Sequence, residues 1–192
     1  MPEDLEGKDC YHKPDLSEAA KEFGVWRPKG IVAVVDTSVL VAARNSRSGN
    51  LSPSRQIVRS AGMLYDSFTS PSILQEVEGV LVRPRFGYSV SETRRWLDVF
   101  LRHSRQVDHE SIPGEYSAAL GDDEKDNPVF KTALAVSLNE EGQVAIEAAK
   151  LRYGCFLVSL DRHFEEGRNA WGWEFIRPGS FWRMLLSWGS GR

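Results

Sequence analysis

The sequence predicts an α/β fold, a sandwich of helices around a mainly parallel sheet. Three observations lead there: short apolar runs of strand length, longer stretches with helical apolar spacing between them, and regular alternation of the two along the chain. The 192 residues suffice for one domain with a substantial core. A hydrophobic fraction of 41% and a charged fraction of 27% are those of a globular chain.

Residues 1–30 are polar, carry Pro14 and Pro28, and read as an N-terminal arm with one short helix near Leu16–Phe23. The globular domain is expected over 31–188, with 189–192 as a tail. Ile31–Val35 is a β-branched strand, and a Ser/Gly/Asn loop follows through Arg44–Pro53. Pro53–Leu64 places Ile57, Val58, Ala61 and Leu64 at helical spacing. Ser67–Thr69 suits a second strand. In "SPSILQEVEGVL", Ser70 is the N-cap of a helix with Pro71 at its first position. Ser89–His103 is amphipathic and helical, and Val107 marks a third strand. "DNPVFKTALAVSL" opens on an Asn-Pro start signal and is apolar enough to be buried. "NEEGQVAIEAAKLRYG" is a further helix ending at Gly154. "CFLVSLD" repeats the opening theme of a strand running into an aspartate, and "WEFIRPGSFWRMLL" gives a last strand and a closing helix.

Composition excludes several classes. No apolar stretch approaches the roughly 20 residues that span a bilayer, and the acidic, polar N-terminus lacks the pattern of a signal peptide; cytoplasmic residence is the expectation. Two cysteines, Cys10 and Cys155, make no disulfide framework, and four scattered histidines offer no zinc motif. A net charge of −3 excludes a polyanion-coating role by charge alone, although local arginine clusters leave nucleic acid open.

The chemistry resides in four acids: Asp36 after the first strand, Glu76 in the helix after the second, Asp126 before a helix start, and Asp161 after a late strand. Singly, each has an ordinary reading. Asp36, Asp126 and Asp161 suit helix caps, and Glu76 suits a surface position. Helical spacing sets Glu76 and Glu78 on opposite margins of one apolar stripe and does not choose between them. Jointly the acids say more. In open parallel sheets ligands sit at the carboxyl ends of the strands, where Asp36 and Asp161 fall. Two charges about 4 Å apart at an effective dielectric of about 20 repel by roughly 4 kcal/mol. A fold that gathers such groups needs a neutralising cation, and oxygen-only ligands select Mg²⁺ or Mn²⁺.

"VVDTSVLVAA", "SPSILQEVEGVL", "DDEKDNPVFKTALA", "FLVSLDRHF" and "FIRPGSFWRML", in that order over Ile31–Leu186, resemble a PIN-domain protein, in particular the toxin components of toxin–antitoxin systems. The resemblance implies a PIN-like three-layer sandwich with a five-stranded, mainly parallel sheet flanked by helices. It implies a ribonuclease that hydrolyses phosphodiester bonds of single-stranded RNA with Mg²⁺ or Mn²⁺. Carried over by motif, the catalytic and metal-binding acids are Asp36, Glu76, Asp126 and Asp161, and Glu76 is preferred over Glu78. Asp123 is an accessory ligand or a solvated loop residue. Thr37, Ser38 and Ser159 stand where small polar residues orient the carboxylates. Arg44, Arg47 and Arg162 are candidates for holding the RNA backbone. An antitoxin protein and a second copy of the chain are the implied partners. Ser38 and Leu160 depart from the family's usual residues, and Ser137–Tyr153 is long enough to add a helix or extended loop.

Three other readings compete. A phosphotransferase with Asp36 as nucleophile needs a second aspartate where Ser38 stands. A dinucleotide-binding domain needs a GxGxxG after the first strand, which is missing. A noncatalytic PIN-like module acting through RNA or protein contact would keep the same acids without needing a metal.

Overall fold

The computed structural model describes residues 29–47, 51–108, 112, 128–162 and 164–189. Residues 1–28 of the N-terminal arm with its expected helix, the acids Asp123 and Asp126, and the last three residues lie outside them. The chain is α/β. Six strands form one sheet in the order β3-β2-β1-β4-β6-β5: β1 Val32–Val35, β2 Asp66–Thr69, β3 Ser104–Gln106, β4 Cys155–Val158, β5 Asn169–Ala170 and β6 Trp173–Ile176. Neighbours from β3 through β6 run parallel, and β5 adds an antiparallel edge. The sheet thus exceeds the expected five strands. Two-residue β5 is too short to leave a periodic signal and is formed by a turn in which Gly172 N–H donates to Asn169 Oδ1 at 3.1 Å.

Strands β1, β2 and β4 are buried along their whole length, which explains why β1 and β4 read as continuous apolar runs rather than alternating ones. Seven helices are present among the described residues: α1 Thr37–Asn45, α2 Pro53–Ser60, α3 Pro71–Leu81, α4 Val90–Leu101, α5 Pro128–Leu138, α6 Glu140–Lys150 and α7 Pro178–Gly189. Helix α1 takes Arg44 and Asn45 from the expected loop. Its carbonyl end is held by Arg55, whose Nε and Nη2 donate to Ala43 O and Ser46 O at 3.2 and 3.1 Å. Helix α2 stops at Ser60, short of Leu64. Gly62 has φ +70°, and a Cβ there would sit 2.6 Å from His103 O, so the chain turns tightly before β2.

The sequence locates α3 well: Ser70 accepts from Ile73 N–H at 3.5 Å and Pro71 opens the helix. At α4, Ser89 and Glu92 form a reciprocal capping box. Strand β3 ends one residue before Val107, which is buried and donates its N–H to Thr69 O at 2.9 Å. The long Ser137–Tyr153 segment does supply an added helix, α6, capped by Asn139 and ending at Lys150, four residues short of Gly154. Core aromatics pack in clusters: Phe130 meets Phe175 and Phe164 with centroids 5.3 Å away in both cases. Phe181 of α7 meets Tyr65 edge-on at 5.3 Å. Trp173 and Phe181 are core residues, whereas Trp171 is exposed and Trp188 stacks on Tyr153. No helix among the described residues is long and apolar enough to cross a membrane.

Candidate functional site at the switch between β1 and β4

The sheet order places β1 at its centre, with β2 and β3 on one side and β4, β6 and β5 on the other. The strands that follow β1 are thus added first on one side of it and then, from β4, on the other, and the crevice beyond the carboxyl ends of these two parallel neighbours is where such sheets bind ligands. Asp36 follows β1 directly, and its N–H donates to Val158 O, the last residue of β4, at 3.0 Å. Asp161 follows β4 by three residues.

Asp36 holds the N-cap position of α1 with extended backbone (φ −67°, ψ 153°), yet its side chain makes no capping hydrogen bond. That disposes of the ordinary reading of this residue. Its Oδ2 instead accepts from Ser38 Oγ at 2.5 Å and from Ser159 Oγ at 2.6 Å. Both hydroxyls accept in turn from the backbone after β4: Leu160 N–H donates to Ser38 Oγ at 3.0 Å, and Asp161 N–H donates to Ser159 Oγ at 2.9 Å. Each serine thus gives its proton to the carboxylate and accepts one from a backbone N–H of the loop after β4, which fixes the hydroxyl orientation. Asp36 Oδ1 has no hydrogen bond among the described residues.

Glu76, on an exposed position of α3, accepts at Oε2 from the buried Thr37 Oγ1 at 2.8 Å. Thr37 is the first residue of α1, so the bond ties Glu76 to the residue next to Asp36. Glu78 is engaged elsewhere, in a two-pronged contact from Arg94 Nε and Nη2 at 3.0–3.2 Å. Among the described residues no cationic side chain pairs with Asp36 or Glu76. Asp161 has no helix to cap, because the described residues after it form turns.

No protein-family model matches this chain, and no curated protein sequence matches it.

Hydrogen bonds thus join the Asp36 carboxylate to Ser38 and Ser159, the Glu76 carboxylate to Thr37, and the backbone N–H of Asp161 to Ser159; Asp126 lies outside the described residues. Helix α5, which opens at Pro128, is anchored nearby: Thr132 Oγ1 lies 2.7 Å from Ser70 Oγ, at the carboxyl end of β2. Among the described residues no three His, Cys, Asp or Glu side chains stand together as a full ligand set. The donors that are present, carboxylate oxygens flanked by hydroxyls, suit Mg²⁺, which binds through one or two carboxylates and completes its shell with water and substrate phosphate.

The arginine candidates divide by position. Arg162 is exposed in the loop beside Asp161. Arg44 lies eight residues along α1 from Asp36, about 12 Å at the helical rise, and its guanidinium rests 4.4 Å from the centroid of the Tyr88 ring. Arg47 follows beyond that helix end, exposed. The sequence reading missed Thr132, which carries no signal distinguishing it from a core threonine, and Arg177. Arg177 Nη1 donates to Asp161 O at 2.6 Å and to Ser159 O at 3.4 Å, and Nη2 donates to Phe164 O at 2.9 Å.

Proposed function

We propose that this chain is a divalent-metal-dependent endoribonuclease with a PIN-like three-layer sandwich, acting on single-stranded RNA as the toxin of a toxin–antitoxin pair. The observation that carries the reading is the state of Asp36: a partly buried carboxylate at the sheet's switch point, oriented by two hydroxyls and neither capping a helix nor paired with a cation among the described residues. Such a group is costly to hold unless something neutralises it in function. The sequence resemblance adds the reaction class, the antitoxin partner and self-association; the cytoplasmic setting is the expectation from composition.

In this reading Asp36, Asp161 and Glu76, with Asp126, hold Mg²⁺ or Mn²⁺. The bound cation supplies charge stabilisation at the scissile phosphate and makes a water more acidic. The chain's own residues do the rest. Ser38 and Ser159 hold Asp36 Oδ2 in place and leave Oδ1 without a hydrogen bond among the described residues, and Thr37 fixes the carboxylate of Glu76. Arg162, exposed next to Asp161, is placed to meet an RNA phosphate.

The test is cleavage of a mixed single-stranded RNA pool by wild-type protein and Asp36→Asn, with Mn²⁺, Mg²⁺ or EDTA. Metal-dependent cutting that Asp36→Asn loses by about a hundredfold or more supports the proposal, since removing one group that stabilises transition-state charge is felt on that scale. Cutting that persists in EDTA or in Asp36→Asn overturns it. The alternative, a noncatalytic RNA- or protein-binding module, keeps the same acids without needing a metal. RNA binding that is unchanged by EDTA, without cleavage, would decide for that module.

A further inference from the structure

The loop after β4 carries Asp161 and both backbone N–H groups that orient Ser38 and Ser159. Three of its carbonyls, on Ser159, Asp161 and Phe164, converge on the guanidinium of Arg177. We propose that Arg177 is a positioning residue for the acidic site, a clamp that fixes the turn bearing Asp161 and, through Ser159, the carboxylate of Asp36. This rests on the reading of that site as a cation-binding one.

Arg177 is well founded for the task. It sits between β6 and α7: Ser159 N–H donates to Ile176 O at 3.3 Å, and Phe181 N–H donates to Arg177 O at 2.9 Å. Its own N–H donates to Glu166 Oε1 at 3.3 Å. Strand β6 pairs with β4 over its full length, and Phe181 and Leu185 bury the helix that follows. The clamp is thus mounted on rigid elements and reaches sideways over one strand spacing.

The geometry requires an arginine. A planar guanidinium offers donors in a fixed fork and reaches several carbonyls at once, whereas an ammonium is a compact charge on a flexible stem. Charge alone does not explain the contacts, which go to backbone carbonyls. From Arg177 the path runs to Asp161 O, from Asp161 N–H to Ser159 Oγ, and from Ser159 to Asp36 Oδ2. Loss of the first contact frees the turn whose N–H groups aim both serines.

The test uses the full chain and Arg177→Lys, with Arg177→Gln as the second variant should the lysine form fail to fold. Mn²⁺ affinity is measured by calorimetry, and amide hydrogen exchange is followed at 160–164. The expected result is Mn²⁺ binding weakened by about tenfold to a hundredfold, the scale for groups that orient ligands, with faster exchange confined to that turn. Unchanged exchange in a folded variant overturns the clamp. Faster exchange with Mn²⁺ affinity within about twofold of wild type reduces Arg177 to a purely structural residue and overturns its role at the site. Wild-type protein that binds no Mn²⁺ overturns the cation-site reading itself and the site role that rests on it.

Discussion

Ser159 Oγ lies 2.6 Å from Asp36 Oδ2, a hydrogen bond between residues 123 positions apart in sequence. It joins the ends of two adjacent parallel strands and sets the orientation of the acid on which the functional proposal turns. Ser159 is buried and also accepts from Asp161 N–H, so its hydroxyl is oriented from both sides: the backbone engages one lone pair and the carboxylate takes its proton.

Ser159→Ala is therefore expected to be more than a surface change. It removes one donor from Asp36 and strips Asp161 N–H of its acceptor, which should lower stability by about 1–3 kcal/mol. Urea unfolding measures this directly. In an Asp36→Ala background the same substitution should cost distinctly less, because contacting residues are energetically coupled. Equal costs in both backgrounds would show that the hydrogen bond contributes little.

Glu76 and Glu78 should separate cleanly. Glu78 is bound by Arg94, whose side chain is about half exposed. Glu78→Gln should cost about 0.2–1 kcal/mol, as partly exposed pairs do, and leave metal-dependent cleavage within about twofold of wild type. Glu76→Gln keeps an acceptor for Thr37 and should preserve the fold while abolishing metal-dependent cleavage. Cleavage assays on the two variants side by side decide whether the glutamate has been assigned to the correct side of the helix.

Gly142→Ala should be severely destabilising although it lies in a helix, where alanine is normally preferred. A Cβ there would stand 1.9 Å from Val136 O and 2.8 Å from the carbonyl carbon, both backbone atoms with no rotamer to yield. Forced contacts of this kind cost typically 1–3 kcal/mol and sometimes more. The expected outcome is a fall in the urea midpoint, whereas Gly79→Ala, with open space around its Cβ, should not lower it.

Burial pushes the Cys155 thiol up to about 11 from an ordinary value near 9. The native state then retains a proton that the unfolded chain has released, so the unfolded form binds fewer protons and stability declines as pH rises from about 9 to about 11. Below the unfolded value the contribution is fully present. Unfolding curves at stepped alkaline pH should show a steeper decline for wild type than for Cys155→Ala; parallel declines would assign the effect to other groups.

Several elements were legible from the chain alone because their signals are local. Ser70-Pro71 opening a helix, the continuous apolar runs of β1 and β4, and the added helix within Ser137–Tyr153 depend on near neighbours in sequence, and the structure has them where the sequence placed them. Helix ends were less legible. Lys150 rather than Gly154 ends α6, and Ser60 rather than Leu64 ends α2, because tertiary contacts such as Gly62 against His103 override a periodic pattern.

The sequence by itself determined that strands alternate with helices and that acids follow two strand ends, since both are written in apolar spacing and residue order. Only the tertiary structure decided that β1 and β4 are neighbours at the switch point, that Asp36 forgoes its helix cap for two serine hydroxyls, that Glu76 meets Thr37 while Glu78 meets Arg94, and that Arg177 grips the turn beside Asp161. The reason is the range of the interactions. Periodicity reports which face of an element is buried, but a hydrogen bond between residues far apart in the chain depends on strand order and on which partner the fold brings within 3 Å or so.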